Sequence, residues 1–172
     1  AESWLYDAWL KRSAPAGPDD RIAILDFDVH HGNGTEDIFK DDSRVMFCST
    51  FQHPFYPFSG ADSSNEHIVN VPMAAGTTGK RYREVFEAEV LPRLEAFKPE
   101  MLFISAGFDA HREDDMGQFG LIETDYIWIT ERLMETAQRH ANNRVVSVLE
   151  GGYDLSSLGR SVASHIKVLA DL

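Results

Sequence analysis

Two carboxylates and an imidazole follow a short apolar segment near the start of the chain. The stretch Arg21–Thr35 reads RIAILDFDVHHGNGT, and its apolar run Ile22–Leu25, bounded by turn residues, predicts a buried strand. Alternate side chains of an extended segment point to one side, which places Asp26, Asp28 and His30 together where the strand ends. Three such groups cannot be buried without a cation or a hydrogen-bond network. A metal ion is the economical explanation, and an N-cap aspartate with surface histidines is the alternative.

A further carboxylate follows another predicted strand. Met101–Ala106 is an apolar run, and Asp109 comes shortly after it. Asp28, His30 and Asp109 could therefore supply three ligands from neighbouring strands. Two carboxylates balance the charge of one Zn²⁺, and three protein ligands leave one coordination position open, which is typical of a catalytic zinc site. A dinuclear hydrolase needs extra carboxylates next to the first site, for example two residues beyond His30, where the chain has Gly32, so a single metal ion is favoured.

Tyr153 stands behind two glycines at the end of the last predicted strand. Gly151 and Gly152 allow the backbone to turn sharply and present the phenol, which could donate a hydrogen bond to an oxyanion formed at the metal. The alternative is a tyrosine packed on the following helix, and the metal cluster beside it favours a functional role. Asp26 lies on the same side but further back, and we interpret it as orienting a histidine or binding a second cation.

The segment Phe51–Ser64 is dense in aromatic residues, proline and glycine. Aromatic side chains are mostly core residues, but proline and glycine among them indicate a shaped loop. A wall of Phe and Tyr suits an alkyl chain or an amine-bearing stem, so the part Phe51–Phe58 is predicted to line a narrow channel. The remaining histidines are interpreted as surface or locally hydrogen-bonded residues: His53, His67, His111, His140 and His165.

The elements that position these residues alternate along the chain. Strands are predicted at Ile22–Leu25, Arg44–Ser49, His67–Val71 before Pro72, Met101–Ala106 and Arg144–Leu149. Helices are predicted at Glu2–Arg12, Glu36–Lys40 with Thr35 as its cap, Thr78–Phe97 with a kink at Pro92, Glu123–Ala141 and Leu155–Leu172. This pattern implies an α/β fold of three α-β-α layers with a mainly parallel sheet. Ligands bind beyond the carboxyl ends of such strands, which is where the unusual residues fall.

Composition restricts the classes of function. The 172 residues correspond to one domain, taken as 1–172, and a net charge of −12 argues against direct nucleic-acid binding while being compatible with a cationic substrate. Cys48 is the single cysteine, which excludes an internal disulfide and a thiolate zinc site, and its apolar neighbours indicate a packed residue. No apolar stretch is long enough for a membrane span and no signal peptide is visible, so the expected location is the cytoplasm.

Three motifs make the sequence similar to the histone deacetylase superfamily. They are DFDVHHGNGT at 26–35, AGFDAH at 106–111 and EGGY at 150–153. The sequence resembles most the class II-like branch that includes bacterial acetylpolyamine amidohydrolases and acetoin-utilisation proteins. The resemblance implies an arginase/deacetylase-like fold and zinc-dependent hydrolysis of N-acetyl amides on lysine or polyamines.

The resemblance also implies roles for individual residues. The zinc ligands would be Asp28, His30 and Asp109, and the residue that donates a hydrogen bond to the transition state would be Tyr153. Residues that orient the family's paired catalytic histidines are matched by Asp26 and Asn33. A potassium site is implied at Asp26, Asp28, His30, Ser49 and Thr50. Substrate-binding positions in the acyl-lysine tunnel are implied at Phe55, Tyr56, Gly151 and Gly152.

The sequence departs from the family in two places. Asp115 stands where relatives often carry Pro, and the paired general-base histidines of the family, which precede the position of Arg21, have no counterpart here. The pair His30-His31 is not their equivalent, because His30 is needed on the metal. We therefore expect the carboxyl-terminal half of a deacetylase domain, truncated on its N-terminal side, with little activity alone and with the missing half or a second copy as partner. A non-catalytic metal-binding or interaction module and an arginase-like dinuclear hydrolase are the alternatives.

Overall fold

A single parallel sheet forms the centre of the chain. A computed structural model describes residues 21–172, so the helix predicted at Glu2–Arg12 lies outside the described residues. The strands are β1 (Ile22–Asp26), β2 (Val45–Gln52), β3 (Ile68–Met73), β4 (Met101–Ala106) and β5 (Val145–Leu149). Their order in the sheet is β3-β2-β1-β4-β5, and every neighbouring pair is parallel. The prediction of an α/β fold with a parallel sheet is confirmed.

Helices connect the strands and pack on the sheet. They are α1 (Asn33–Phe39), α2 (Gly79–Val85), α3 (Leu91–Phe97), α4 (Glu123–His140) and α5 (Leu155–Leu169). A π-helical turn, Phe86–Val90, joins α2 to α3, and Pro92 follows at the start of α3. Proline lacks an N–H and its ring crowds the preceding turn, so the predicted kink takes the form of this wider turn. Within residues 21–172, no helix combines the length and apolar character needed to cross a bilayer.

The bounds of several predicted elements were wrong. Strand β2 continues to Gln52, three residues past its predicted end. The first helix begins at Asn33, immediately after Gly32, so Thr35 lies inside α1 and does not cap it. The third strand continues through Pro72 and ends at Met73. A proline is tolerated there because β3 is the outer strand of the described sheet, where a missing N–H on the open side breaks no ladder bond.

Alternating residues of the strands fill cores on both faces of the sheet. On one face, Ala23 and Leu25 of β1 pack in the large core that includes Tyr82 of α2 and Tyr126 of α4. On the other face, the smaller core consists of Ile22, Ile24, Phe39, Val45, Phe47, Ile68 and Phe103. Cys48 lies in the larger core, where burial raises the pKa of its thiol to about 12. The cores hold the strand ends rigidly, and the polar residues follow those ends.

Candidate metal centre

Three polar side chains meet beyond the carboxyl ends of β1 and β4. Asp28 and His30 follow β1, and Asp109 follows β4, its direct neighbour in the sheet. The Nδ1 atom of His30 lies 3.0 Å from Oδ1 of Asp28 and 3.1 Å from Oδ2 of Asp109. One ligand atom of each residue lies within 4.8 Å of the other two, and among residues 21–172 this is the one such group. The structure therefore brings together the three side chains predicted as metal ligands.

The backbone between Asp26 and His30 differs from the predicted extended strand. β1 ends at Asp26, and the residues that follow form bends. Oδ1 of Asp26 accepts the N–H of Asp28 at 3.0 Å, and Oδ1 of Asp28 accepts the N–H of His30 at 2.8 Å. Such side-chain bonds to the N–H two residues onward are Asx turns, which curl the chain. The side chains converge because of these turns, so the explanation from strand alternation was wrong.

Two glycines allow the carboxylates to come close. The N–H of Gly151 donates to Oδ2 of Asp28 at 2.8 Å, and the N–H of Val29 donates to Oδ1 of Asp109 at 2.9 Å. A Cβ at Gly151 would lie 2.1 Å from Oδ2 of Asp109 and 2.6 Å from Oδ2 of Asp28. A Cβ at Gly107 would lie 2.3 Å from Oδ2 of Asp28. Gly151, predicted to bind substrate, thus donates to the carboxylate of Asp28 and leaves room for that of Asp109.

The electrostatics of the cluster favour a cation. Hydrogen bonds to Asp109 and Asp28 raise the pKa of His30 to about 10. Burial raises the pKa of Asp109 to about 6. Burial also acts to raise the pKa of Asp28, but hydrogen bonds from His30 and Gly151 hold that pKa below its ordinary value. Without a metal ion, the cluster therefore retains a proton on His30 between two acidic groups.

The spacing of the three side chains fits zinc. Zn–N and Zn–O bonds of about 2.0–2.1 Å at tetrahedral angles place two ligand atoms about 3.3 Å apart. The two separations measured from His30 Nδ1, 3.0 and 3.1 Å, need an expansion of only a few tenths of an ångström. Two carboxylates offset the charge of a divalent ion, and three donors leave a position for water or substrate. The residues present therefore fit a single zinc ion.

A cavity of about 800 Å³ opens over the cluster. Tyr56 and Tyr153 both line it. The ring of Phe55 stacks on the imidazole of His30 with 5.3 Å between centroids, and Tyr56 meets the same imidazole edge-on at 6.2 Å. Of the aromatic segment, Tyr56 thus lines the cavity, and Phe55 packs on a candidate ligand. Further wall residues that the sequence did not indicate are Ile38 of α1, Leu149 of β5 and Met116. They come from separate elements that tertiary packing brings to the cavity.

Tyr153 is presented to the cavity by its glycine neighbours. Gly152 has φ +140, a conformation that favours glycine, and turns the chain out of β5. Tyr153 is more than half exposed. The partial burial that remains, together with the negative charges of Asp109 and Asp28, raises the pKa of its phenol. The phenol therefore keeps its proton at neutral pH and is available as a donor.

Two further predicted residues lie close to the cluster in the chain. Asp26 is buried, lines the cavity and approaches Gly32 so closely that a Cβ there would lie 2.3 Å from its Oδ2. Asn33 is exposed at the first position of α1. Their roles in orienting catalytic histidines stay predictions.

Two of the residues predicted for potassium, Ser49 and Thr50, have side chains that form bonds within the protein. Oγ of Ser49 lies 3.1 Å from Nδ1 of His31, and Oγ1 of Thr50 lies 2.6 Å from the hydroxyl of Tyr82 and 3.3 Å from the carbonyl of Asp26. These bonds join β2 to β1 and to α2. The potassium site therefore stays a prediction.

His31 belongs to a buried polar network that the sequence analysis did not identify. Its Nε2 lies 2.5 Å from Oε2 of Glu36, and the same oxygen accepts Nδ2 of Asn70 at 3.0 Å. The network links α1 to β2 and β3 beside the candidate centre. A histidine next to a predicted ligand was a signal in the sequence, but its partners are distant and became evident only in three dimensions.

Comparisons with known proteins agree with the geometry. The family model described as "Histone deacetylase domain" matches residues 12–169. An uncharacterized protein of Synechocystis sp. is 44% identical over 153 residues, which cover 87% of this chain and 49% of that protein. "Histone deacetylase 14, chloroplastic" of Arabidopsis thaliana is 37% identical over 155 residues, covering 87% of this chain and 37% of that protein. The predicted cytoplasmic location stays a prediction.

The fold comparison gives the same result. The solved structure of the histone deacetylase Clr3 has a TM-score of 0.84 and 31% identity, and the match covers 96% of this chain and 29% of that one. The predicted deacetylase-like fold is confirmed. The chain spans less than half the length of each of these three proteins. The narrower prediction, that the chain is of the bacterial branch, stays a prediction.

Proposed function

Because the chain belongs to the histone deacetylase family, we propose that it carries the zinc site of an enzyme that hydrolyses N-acetyl amides of lysine or polyamines. The observation that supports this proposal most is the convergence of Asp28, His30 and Asp109 beneath a cavity that Tyr153 also lines. A structural network of buried polar groups does not need an open cavity above it, whereas a reaction does.

Each residue of the centre has a distinct task in this proposal. Asp28, Asp109 and Nδ1 of His30 hold zinc, which when bound supplies the Lewis acid that polarises an amide carbonyl and activates water. The N–H of Gly151 fixes one of the carboxylates in its orientation. The phenol of Tyr153 donates a hydrogen bond to the oxygen that becomes negative in the transition state.

The walls of the cavity suit a slender substrate that ends in an acetamide. Phe55 and Tyr56 offer aromatic faces next to His30, against which an alkyl stem can pack. The net charge of −12 attracts a cationic substrate such as a lysine-rich peptide or a polyamine.

The general base is proposed to come from outside residues 21–172. His30 is engaged by two carboxylates, and His31 is held between Ser49 and Glu36. The histidine pair implied by the resemblance would be supplied by a segment of a longer domain, so that residues 1–172 form its carboxyl-terminal half. The isolated chain is then expected to bind metal but to hydrolyse amides slowly.

A fluorogenic acetyl-lysine peptide assay tests the proposal. The zinc-loaded chain is assayed alone and together with the part of its Synechocystis relative that the match does not cover. We expect hydrolysis to require both the added half and zinc, and Tyr153→Phe to lower kcat about 100–1000-fold, as for other lost oxyanion donors. Zinc binding without hydrolysis in the combined sample would instead support a non-catalytic module, and two tightly bound manganese ions per chain would support an arginase-like site.

A further inference from the structure

A buried carboxylate outside the candidate metal centre holds the backbone of Tyr153. Asp114 is 4% exposed. Its Oδ2 accepts the N–H of Tyr153 at 2.6 Å and the N–H of Asp154 at 3.0 Å. Its Oδ1 accepts the N–H of Met116 at 2.9 Å. One side chain thus gathers three backbone donors from two loops.

Tyr153 depends on such an anchor because little else fixes it. Its side chain is 58% exposed, so packing contributes little to its direction. The preceding residue, Gly152, has φ +140 and the wide conformational freedom of glycine. The following residue, Asp154, caps α5 by accepting the N–H of Ser157 at 2.8 Å. The turn between β5 and α5 is therefore held by a helix cap on one side and by Asp114, from the loop that follows β4, on the other.

The loop that carries Asp114 is itself tied to the metal centre. It starts from Asp109, and the N–H of Asp114 donates to the carbonyl of His111 at 3.0 Å. Nδ1 of His111, which is buried, accepts the N–H of Glu113 at 3.1 Å. These bonds make the loop a short rigid connection between a candidate zinc ligand and the backbone of Tyr153.

We propose that Asp114 is the positioning residue that aims the Tyr153 phenol at the candidate metal centre. This inference rests on the proposed function and adds to it a group that does not touch substrate. Asp114 acts through two backbone N–H groups, so its loss changes the direction of the phenol and leaves the three metal-binding side chains in place. A carboxylate that only stabilised the loop would show no dependence on the Tyr153 hydroxyl.

The first experiment measures amide hydrogen exchange by NMR and needs no metal. In Asp114→Ala, the amides of Tyr153 and Asp154 are expected to exchange about 10-fold faster or more, which corresponds to the loss of one ordinary hydrogen bond. In Asp114→Asn, the side-chain oxygen can still face both amides while its NH₂ faces Met116. We therefore expect faster exchange at Met116 alone. Asp115→Ala, which removes the exposed neighbouring carboxylate, is the matched control and should leave the exchange rates of all three amides unchanged.

The second experiment is a double-mutant cycle on binding of benzhydroxamic acid to the zinc-loaded chain. This probe chelates the metal and offers an oxygen to the phenol. Asp114→Ala and Tyr153→Phe are each expected to weaken binding about 10-fold, and the double variant is expected to be no weaker than Tyr153→Phe. Asp114→Asn should restore most of the affinity, and zinc affinity should be the same in all variants.

Two results would overturn the inference. One is amide exchange at Tyr153 and Asp154 that does not change in Asp114→Ala. The other is a loss of probe affinity on Asp114→Ala that is the same with and without the Tyr153 hydroxyl. If Asp114→Ala does not fold, the exchange pattern of Asp114→Asn decides, and faster exchange at Tyr153 in that variant contradicts the inference. A wild-type chain that binds neither zinc nor the probe would contradict the proposed function, and the exchange experiment would still decide whether Asp114 holds Tyr153.

Discussion

Two histidines in polar surroundings, His30 and His165, have opposite environments. Nδ1 of His165 lies 2.7 Å from Oγ1 of Thr130, and its Nε2 lies 2.8 Å from Oγ of Ser147. Because the Thr130 hydroxyl donates to the carbonyl of Tyr126 at 2.6 Å, it must accept from Nδ1–H, and Nε2 then accepts from Ser147. Every polar atom of this imidazole is matched by a neutral partner, and burial lowers its pKa to about 4.

The partners of His30, in contrast, are carboxylates. One ring nitrogen faces two carboxylates, and the pKa of His30 is raised to about 10. His165 and its neutral partners Thr130 and Ser147, which we call the matched network, hold two helices and a strand together. The group of Asp28, His30 and Asp109, which we call the unbalanced cluster, has an excess of negative charge that a divalent cation satisfies. Two carboxylates on one nitrogen of His30, and not the burial of a histidine, indicate the metal site.

The largest expected effect comes from a single methyl group at the unbalanced cluster. Gly151→Ala places a Cβ 2.1 Å from Oδ2 of Asp109, so the two carboxylates can no longer share one ion. We expect no measurable zinc binding by isothermal titration calorimetry. Gly159→Ala in α5 is the control, because nothing lies within 4 Å of its Cβ, and it should bind zinc normally. Zinc affinity unchanged by Gly151→Ala would contradict the described packing.

Acid should weaken the matched network. His165 is neutral in the folded chain with a pKa of about 4, whereas the ordinary value is 6.5, so protons bind the unfolded chain more readily. The stabilisation is complete above pH 6.5 and is lost as the pH falls toward 4. It amounts to roughly 3 kcal/mol of unfolding free energy. Urea unfolding of wild type and His165→Asn between pH 7 and pH 4 measures it. Equal pH dependence of the two proteins would show that His165 is not buried as a neutral group.

A smaller effect is expected when one partner of His165 is removed. Ser147→Ala leaves Nε2 of His165 buried without a donor and should lower the free energy of unfolding by about 1–3 kcal/mol at pH 7. Ser164→Ala is the control, since its hydroxyl is exposed and bonds to the carbonyl of Arg160 within its own helix. Thermal unfolding of the two variants at pH 7 makes the comparison, and equal melting temperatures would contradict the described network.

Much of the sheet could be predicted from the sequence because its strands are continuous apolar runs. Met101–Ala106 has the predicted bounds, and the neighbouring β1 is one residue longer than expected. Pro72 lies inside β3 because an outer strand tolerates it, and position within a sheet is not readable from a local pattern.

The site was predictable where it depends on residue types and unpredictable where it depends on backbone partners. The meeting of Asp28 and Asp109 followed from their places after adjacent apolar strands, although Asx turns and not strand alternation produce it. The bonds of Asp114 to Tyr153 and of His165 to Thr130 join residues far apart in sequence. The local spacing of residues does not predict such pairs, because tertiary packing alone brings them together.

Zinc titration of the purified chain, with proton release recorded in buffers of different ionisation enthalpy, tests the central claim most directly. We expect one zinc ion per chain, displacement of the His30 proton, and tighter binding as the pH rises toward the pKa of about 10. Asp109→Asn should abolish binding. A chain that binds no zinc, or binds it equally well without the Asp109 carboxylate, would contradict the assignment of Asp28, His30 and Asp109 as a metal centre.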